Sequence, residues 1–248
     1  MSRAKLKKLE ANKGIFMKKG LQIIYLVVLT FSMLSLSGCG PTMVTKSAKF
    51  PLMYEENPLS ILVLPPINRS TASDAKEYYS TTIQEPLSLS GFYTFPYEVT
   101  SEILKMEGIY DSELLYNMPL SKFQEYFGAD AVMFTTINKW DMSYLVLAAG
   151  LTVEITCEIK STKSDQTLWK YTGTVYADLS GGNTGGGIGG LVAKAIITAI
   201  NSALADYVPY AKLANGIALS SIPTGPYHSL HAKDQESQIA EQPITQSK

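Results

Sequence analysis

Cysteine and histidine are nearly absent from this chain: its 248 residues hold two of each, Cys39, Cys157, His228 and His231. Both histidines sit in a polar carboxyl-terminal stretch, so the body of the chain has no imidazole. A zinc site needs several Cys, His or carboxylate ligands converging on a rigid frame, and none can be assembled. Ser-His and Cys-His nucleophile pairs fail for the same want of histidine. No metal, cofactor or catalytic residue is therefore expected. No carboxylates pair in a way that suggests acid–base chemistry, since Glu154 and Glu158 fall on the wet side of an alternating run. Positive charge is also scarce. Of the 21 Lys and Arg, seven lie in residues 1–38 with one Glu, leaving 14 basic against 21 acidic residues and a net charge near −7. A body so charged lacks the basic footprint of a nucleic-acid binder, and an anionic membrane surface would repel it.

What is present is concentrated at the amino terminus. Lys18 and Lys19 precede an apolar run (Ile23, Ile24, Leu26, Val27, Val28, Leu29, Phe31) that turns small at Ser35, Ser37 and Gly38 and ends in Leu36-Ser37-Gly38-Cys39. A basic start, a 7–15-residue apolar stretch and a small-residue cleavage site mark an export signal. The small residue before a cysteine is the pattern of a bacterial lipoprotein signal: cleavage between Gly38 and Cys39, acyl chains on the Cys39 sulfur and new amino terminus. The rival reading is a transmembrane anchor, but a span needs about 20 predominantly apolar residues, and Gln22, Thr30 and Ser32 interrupt this shorter run. Met17-Lys18-Lys19 forms a complete basic start alone, so either Met1 or Met17 serves as initiator. Gly40, not aspartate, follows the cysteine, which points to the outer membrane, with the body in the periplasm.

The remaining 210 residues suffice for one core. Residues 39–58 read as a tether, 59–222 as an α/β domain and 223–248 as a disordered polar tail, low in apolar residues. Ser60 to Leu64 is a short buried strand closed by Pro65-Pro66. A helix from Asp74 to Gln84 follows, with Asp74 and Glu77 as a weak capping signal and Pro86 set to kink or end it. Gly91 to Pro96 reads as an edge strand. Val99 to Met106 reads as a helix with Val99, Ile103 and Met106 on one side and Gly108 as its stop, and Leu120 to Phe127 as another ending at Gly128. Ala131 to Trp140 starts apolar on both faces. Leu151 to Ile159 alternates without fault, and Thr167 to Val175 repeats the pattern with Trp169, Tyr171 and Val175 inward. Cys157 is read as a small buried hydrophobe, and with Cys39 acylated it has no disulfide partner. A glycine-rich hinge (180–190), an amphipathic helix (191–205) and a short helix (208–219) complete the order β-α-β-α-α-β-β-β-α. The fold expected is a single α/β sandwich with a mixed sheet and helices mainly on one face.

Two motifs invite chemistry. Gly185-x-Gly187-x-x-Gly190 matches a dinucleotide fingerprint only in letters, because a Rossmann site needs those glycines to open the first helix of a βαβ unit. Asn68-Arg69-Ser70-Thr71 is better placed, after a strand's carboxyl end and before a helix, where open sheets put ligands and amides receive anions. The plain alternative is an ordinary strand-to-helix turn whose Ser and Thr satisfy backbone donors. The clustered aromatics Tyr78, Tyr79, Phe92, Tyr93, Phe95 and Tyr97 read as core, with an exposed subset available to a partner.

Ile61-Leu62-Val63-Leu64-Pro65-Pro66-Ile67-Asn68, Gly91-Phe92-Tyr93-Thr94-Phe95-Pro96 and Phe127-Gly128-Ala129-Asp130-Ala131-Val132, with Leu168-Trp169 and Gly225-Pro226-Tyr227-His228, carry a resemblance. The chain resembles a family of bacterial lipoproteins of unknown function typified by a genome-derived neisserial vaccine antigen. More distantly its layout is similar to the periplasmic domain of the curli-secretion lipoprotein CsgG and to the amino-terminal domain of TolB. The family carries no established site residues to transfer. The resemblance implies a non-enzymatic accessory in envelope assembly or export, with other envelope lipoproteins, a CsgG-like one among them, as partners. Two alternatives stand beside it: a subunit of a CsgG-like oligomeric pore, with 141–159 as the membrane-inserting candidate, and an exported small-ligand or anion binder using the 68–71 turn.

Overall fold

A computed structural model describes residues 42–145, 148–178 and 208–240. Its centre is a six-stranded mixed sheet in the order β4-β2-β5-β6-β7, with β3 also paired to β5. The strands are β2 (Ser60–Val63), β3 (Ile67–Asn68), β4 (Tyr93–Thr94), β5 (Ala131–Leu145), β6 (Ala148–Ser161) and β7 (Thr167–Asp178). β4, β2, β3 and β5 run parallel where they pair; β5, β6 and β7 form an antiparallel meander. The expected mixed α/β sheet is therefore present.

β2 closes ahead of Pro65 and Pro66 as expected, and pairing with β5 resumes beyond them as β3. Val63 pairs with Met133, the Leu64 amide donates to Met133 O at 3.1 Å, and pairing resumes at Ile67 with Thr136. Four residues on one strand thus oppose three on the other, the signature of a bulge. Two prolines without amide hydrogens fit where the ladder has lapsed.

Alternation along β2 and β5 sends side chains to two separate cores. Ile61, Val63, Met133 and Ile137 join Ile155, Cys157, Ile159 and Trp169 beneath α3 (Ala75–Leu89) and α7 (Val208–Leu219). Leu62, Leu64, Val132 and Phe134 meet Leu104, Leu115, Leu120 and Phe123, from α4 (Tyr97–Met106), α5 (Ser112–Tyr116) and α6 (Leu120–Phe127). Helices thus cover both faces of the β2–β5 half, a correction to the expected one-sided cover. The continuous apolar run Ile61–Leu64 is what a strand buried on both faces requires. Each large apolar side chain so buried contributes about 1.5–3 kcal/mol.

α3 buries Ala75, Tyr79, Ile83 and Leu87, an i, i+4, i+8, i+12 stripe. It runs through Pro86 to Leu89, farther than the expected stop, and the Asp74 carboxylate at its start caps nothing. Asn215 on α7 donates to Thr82 Oγ1 on α3 at 2.8 Å, tying the two helices. α6 ends as expected at Gly128, whose φ of 69° suits a residue without a Cβ.

Both ends of the domain depart from expectation. Residues 39–58 contain β1 (Met43–Thr45), α1 (Lys46–Lys49) and α2 (Pro51–Glu56) rather than a tether alone. Residues 223–240 are a shaped strap rather than a disordered tail, ending in β8 (Gln238–Ala240), which pairs antiparallel with β1. Contacts far away in sequence order both segments. The Gly225 amide donates to Ser90 O (2.8 Å) and the Tyr227 amide to Gly91 O (3.0 Å). A Cβ on Gly91, whose φ is 91°, would lie 2.5 Å from His228 N. The described residues from Met43 onward belong to one compact unit. The lipoprotein signal, the 180–190 hinge and the 191–205 helix lie outside the described residues.

Candidate functional site

The 68–71 turn is built as a closed polar knot. Asn68 Oδ1 accepts from the Ser70 amide (3.0 Å) and hydroxyl (2.6 Å), while Asn68 Nδ2 donates to Ala72 O (2.6 Å). The Ala72 amide donates to Ser70 Oγ (3.3 Å) and the Arg69 amide to Ile137 O (2.8 Å). Arg69 and Thr71 are exposed. The Arg69 charge acts on exposed Glu113, whose carboxyl is raised by its hydrogen bond to Asp111 and lowered in turn by Lys76 and Arg69. Asn68 and Ser70 thus satisfy one another and the local backbone, while Arg69 and Thr71 face solvent.

Cys157 stands in a buried trio. The Tyr79 hydroxyl lies 2.6 Å from Thr135 Oγ1, which donates to Cys157 Sγ at 3.6 Å. Burial pushes the thiol up to about 11, so it remains protonated and inert at neutral pH.

A cleft of about 480 Å³ opens where α5 and α6 stop covering the sheet. Its wall is Tyr116, Met118 and Leu120, and its floor is Phe134, Thr136, Thr156, Glu158 and Lys160. Tyr116 is fixed there: its hydroxyl donates to Thr135 O and accepts from the Thr135 amide at 2.6 Å. Its ring meets Phe134 edge-on at 4.8 Å. The polar groups are mutually engaged, Thr167 Oγ1 donating to Glu158 (2.6 Å) and Lys160 standing 3.9 Å from it.

Helix α4 turns an apolar side to water. Thr100 and Leu104 are its buried residues, whereas Val99, Ile103 and Met106 are 57, 42 and 80% exposed. Their i, i+4, i+7 spacing puts them on one side of the helix, as expected, and that side is an apolar stripe turned to solvent. Glu98, Glu102 and Glu107 border it, against one lysine, Lys105, which lies 3.4 Å from Glu102. The signal available in the sequence was the second apolar register, Tyr97, Thr100 and Leu104, on the opposite side of the same helix.

A second feature that the sequence reading missed is a polar hub. Lys46 and Asp234 form an ion pair at 3.0 Å with 12 and 6% exposure. Asp234 also accepts from the Tyr54 hydroxyl (3.1 Å) and the Thr224 amide (2.9 Å). Burial alone would raise this carboxyl, but the Thr224 amide, the Lys46 ammonium and the Tyr54 hydroxyl hold it below the usual carboxylate range. A separation of 188 residues between its charges left nothing to read locally.

Fold and surfaces together define a small mixed α/β module in which, among the described residues, no helix is long and apolar enough to cross a membrane. The model of a family described as "Putative lipoprotein GNA1162-like" matches residues 50–225, and the chain belongs to that family. A Neisseria meningitidis serogroup B protein, "Putative lipoprotein NMB1124/NMB1162", is 28% identical over 177 residues, 71% of this chain and 80% of the relative. The crystal structure of lipoprotein GNA1162 from N. meningitidis is similar with a TM-score of 0.48 at 27% identity, covering 58% of this chain and 100% of that one. The PelC dodecamer from Paraburkholderia phytofirmans gives 0.41 at 12% identity, over 66% of this chain and 88% of that one.

Proposed function

We propose that this chain is a lipid-anchored, non-enzymatic accessory of the bacterial outer membrane that faces the periplasm and holds another envelope protein on the exposed stripe of α4. The Leu36–Cys39 signal and Gly40 support the anchor and its membrane. Membership in a family described as lipoproteins agrees with the anchor. The stripe itself carries the reading. An exposed contiguous apolar patch with a polar rim marks an interaction site, and folding alone has no use for Val99, Ile103 and Met106 in water. The occupant is a protein segment with apolar side chains flanked by Lys or Arg, because the rim of Glu98, Glu102 and Glu107 outweighs the single Lys105. Charge complementarity of this kind sets specificity and association rate more than affinity.

The test is photocrosslinking in cells from benzoylphenylalanine at position 103, with position 170 on the open sheet face as reference. The expected result is an adduct at 103 with an envelope protein identified by mass spectrometry, absent at 170 and lost when Glu98→Lys and Glu102→Lys reverse the rim. An adduct that survives the reversal, or the same products at both positions, overturns the reading.

A further inference from the structure

Three residues, 40–42, separate Cys39 from the first strand, β1. That strand is fastened at every step. Met43, Val44 and Thr45 pair with Ala240, Ile239 and Gln238. The Lys46 amide donates to Ser237 O (3.0 Å) and the Ser47 amide to Gln235 O (3.1 Å). The Lys46 ammonium then reaches inward to Ile222 O (2.7 Å) and Asp234 (3.0 Å). The point where an anchor would join the body is therefore part of the fold.

We propose that the Met43–Ala240 end of the β1–β8 ribbon is a lipid-apposed surface, held at the head groups of the membrane, with the Asp234 hub setting that closeness. The inference rests on acylation of Cys39, as proposed above. Four Cα steps of 3.3–3.6 Å let residue 43 lie at most about 14 Å from residue 39. The polar layer on each side of a bilayer core is itself roughly 5–8 Å deep, so the ribbon can stand off that layer by at most about 6–9 Å. Charge does not produce this apposition, because a body near −7 is repelled by anionic lipid. The covalent link imposes it, and the contact should therefore be insensitive to salt. Met43, 51% exposed at the ribbon's tip, presents an apolar side chain to that layer.

The test uses full-length acylated protein in vesicles of phosphatidylethanolamine and phosphatidylglycerol carrying a head-group energy acceptor. A donor is attached at Glu55→Cys, an exposed position on α2; buried Cys157 is left in place. A variant with 16 Gly and Ser residues after Gly40 gains about 22 Å of root-mean-square reach and should show transfer roughly twofold lower. Asp234→Asn, which frees β1 and α1 to extend the link, should fall between the two. Unchanged transfer between low and high salt is expected for the parent. Acylation and vesicle flotation are read separately by intact mass and density gradient, so loss of the anchor is told apart from loss of apposition. Protein that floats, yet transfers energy no better than the insertion variant or loses transfer as salt rises, overturns the proposal.

Discussion

Helices α3 and α4 carry similar apolar stripes and meet opposite fates. On α3 the stripe of Ala75, Tyr79, Ile83 and Leu87 is buried between the sheet and α7. On α4 the stripe of Val99, Ile103 and Met106 faces water, and the helix is held by the narrower pair Thr100 and Leu104. Periodicity establishes that a helix forms and that one side is apolar; it does not say what that side will meet. α3 lies over strands whose neighbours complete a core around it, whereas α4 sits near the margin of a smaller cluster closed by α5 and α6. An apolar face beyond what the fold can cover is surplus to stability and available for association.

The contrast breaks most visibly on α3. Ile83→Ala empties space at a fully buried position and should cost about 3–4 kcal/mol by chemical denaturation. Leu104→Ala, on the buried side of α4, should cost somewhat less, about 2–3 kcal/mol, because the smaller cluster relaxes around it more easily. If both substitutions were harmless, the two-core description would be wrong.

Acid separates the regions in another way. The Asp234 carboxyl has its folded-state value depressed. Its contribution is therefore present above the ordinary carboxylate value of about 3.9 and is lost as pH falls through the lower folded value. Hydrogen exchange followed from pH 6 to below 3, corrected for the intrinsic rate, should show β1 and β8 losing protection before α3, which rests on apolar burial. Loss of α3 first would mean that the hub does not hold the strap.

The alternation of Leu151 to Ile159 and of Thr167 to Val175 was legible because a half-buried strand must place every second side chain in the core; Ile155, Cys157, Ile159, Trp169, Tyr171 and Val175 are all buried. The burial of β2 was legible from its continuous apolar run, although nothing local showed which helices would meet its second face. The strap was not. Residues 223–240 contain little apolar surface, and their order comes from amides and side chains spent on Ser90, Gly91, Lys46 and Tyr54, partners at least 130 residues away. Composition weighs burial, and this segment is ordered by polar satisfaction. The Asn68–Thr71 segment was legible as a turn with Ser and Thr satisfying the backbone; Asn68 and Ser70 make those bonds, and Thr71 is exposed.

The smallest expected effect is the sharpest test of the comparison. Ile103 and Leu104 are neighbours on one helix, 42 and 5% exposed. Met106, at 80%, is more open than either. Met106→Ala exchanges one good helix former for a better one and removes side-chain surface already in water, so unfolding free energy should change by less than about 0.5 kcal/mol. The same substitution removes apolar contact area from the proposed partner face, so crosslinking from position 103 should weaken while the denaturation curve stays put. A destabilisation on the scale of Leu104→Ala would show that Met106 is covered within the chain itself. The stripe would then be a third piece of core, and α4 would no longer differ from α3 in kind.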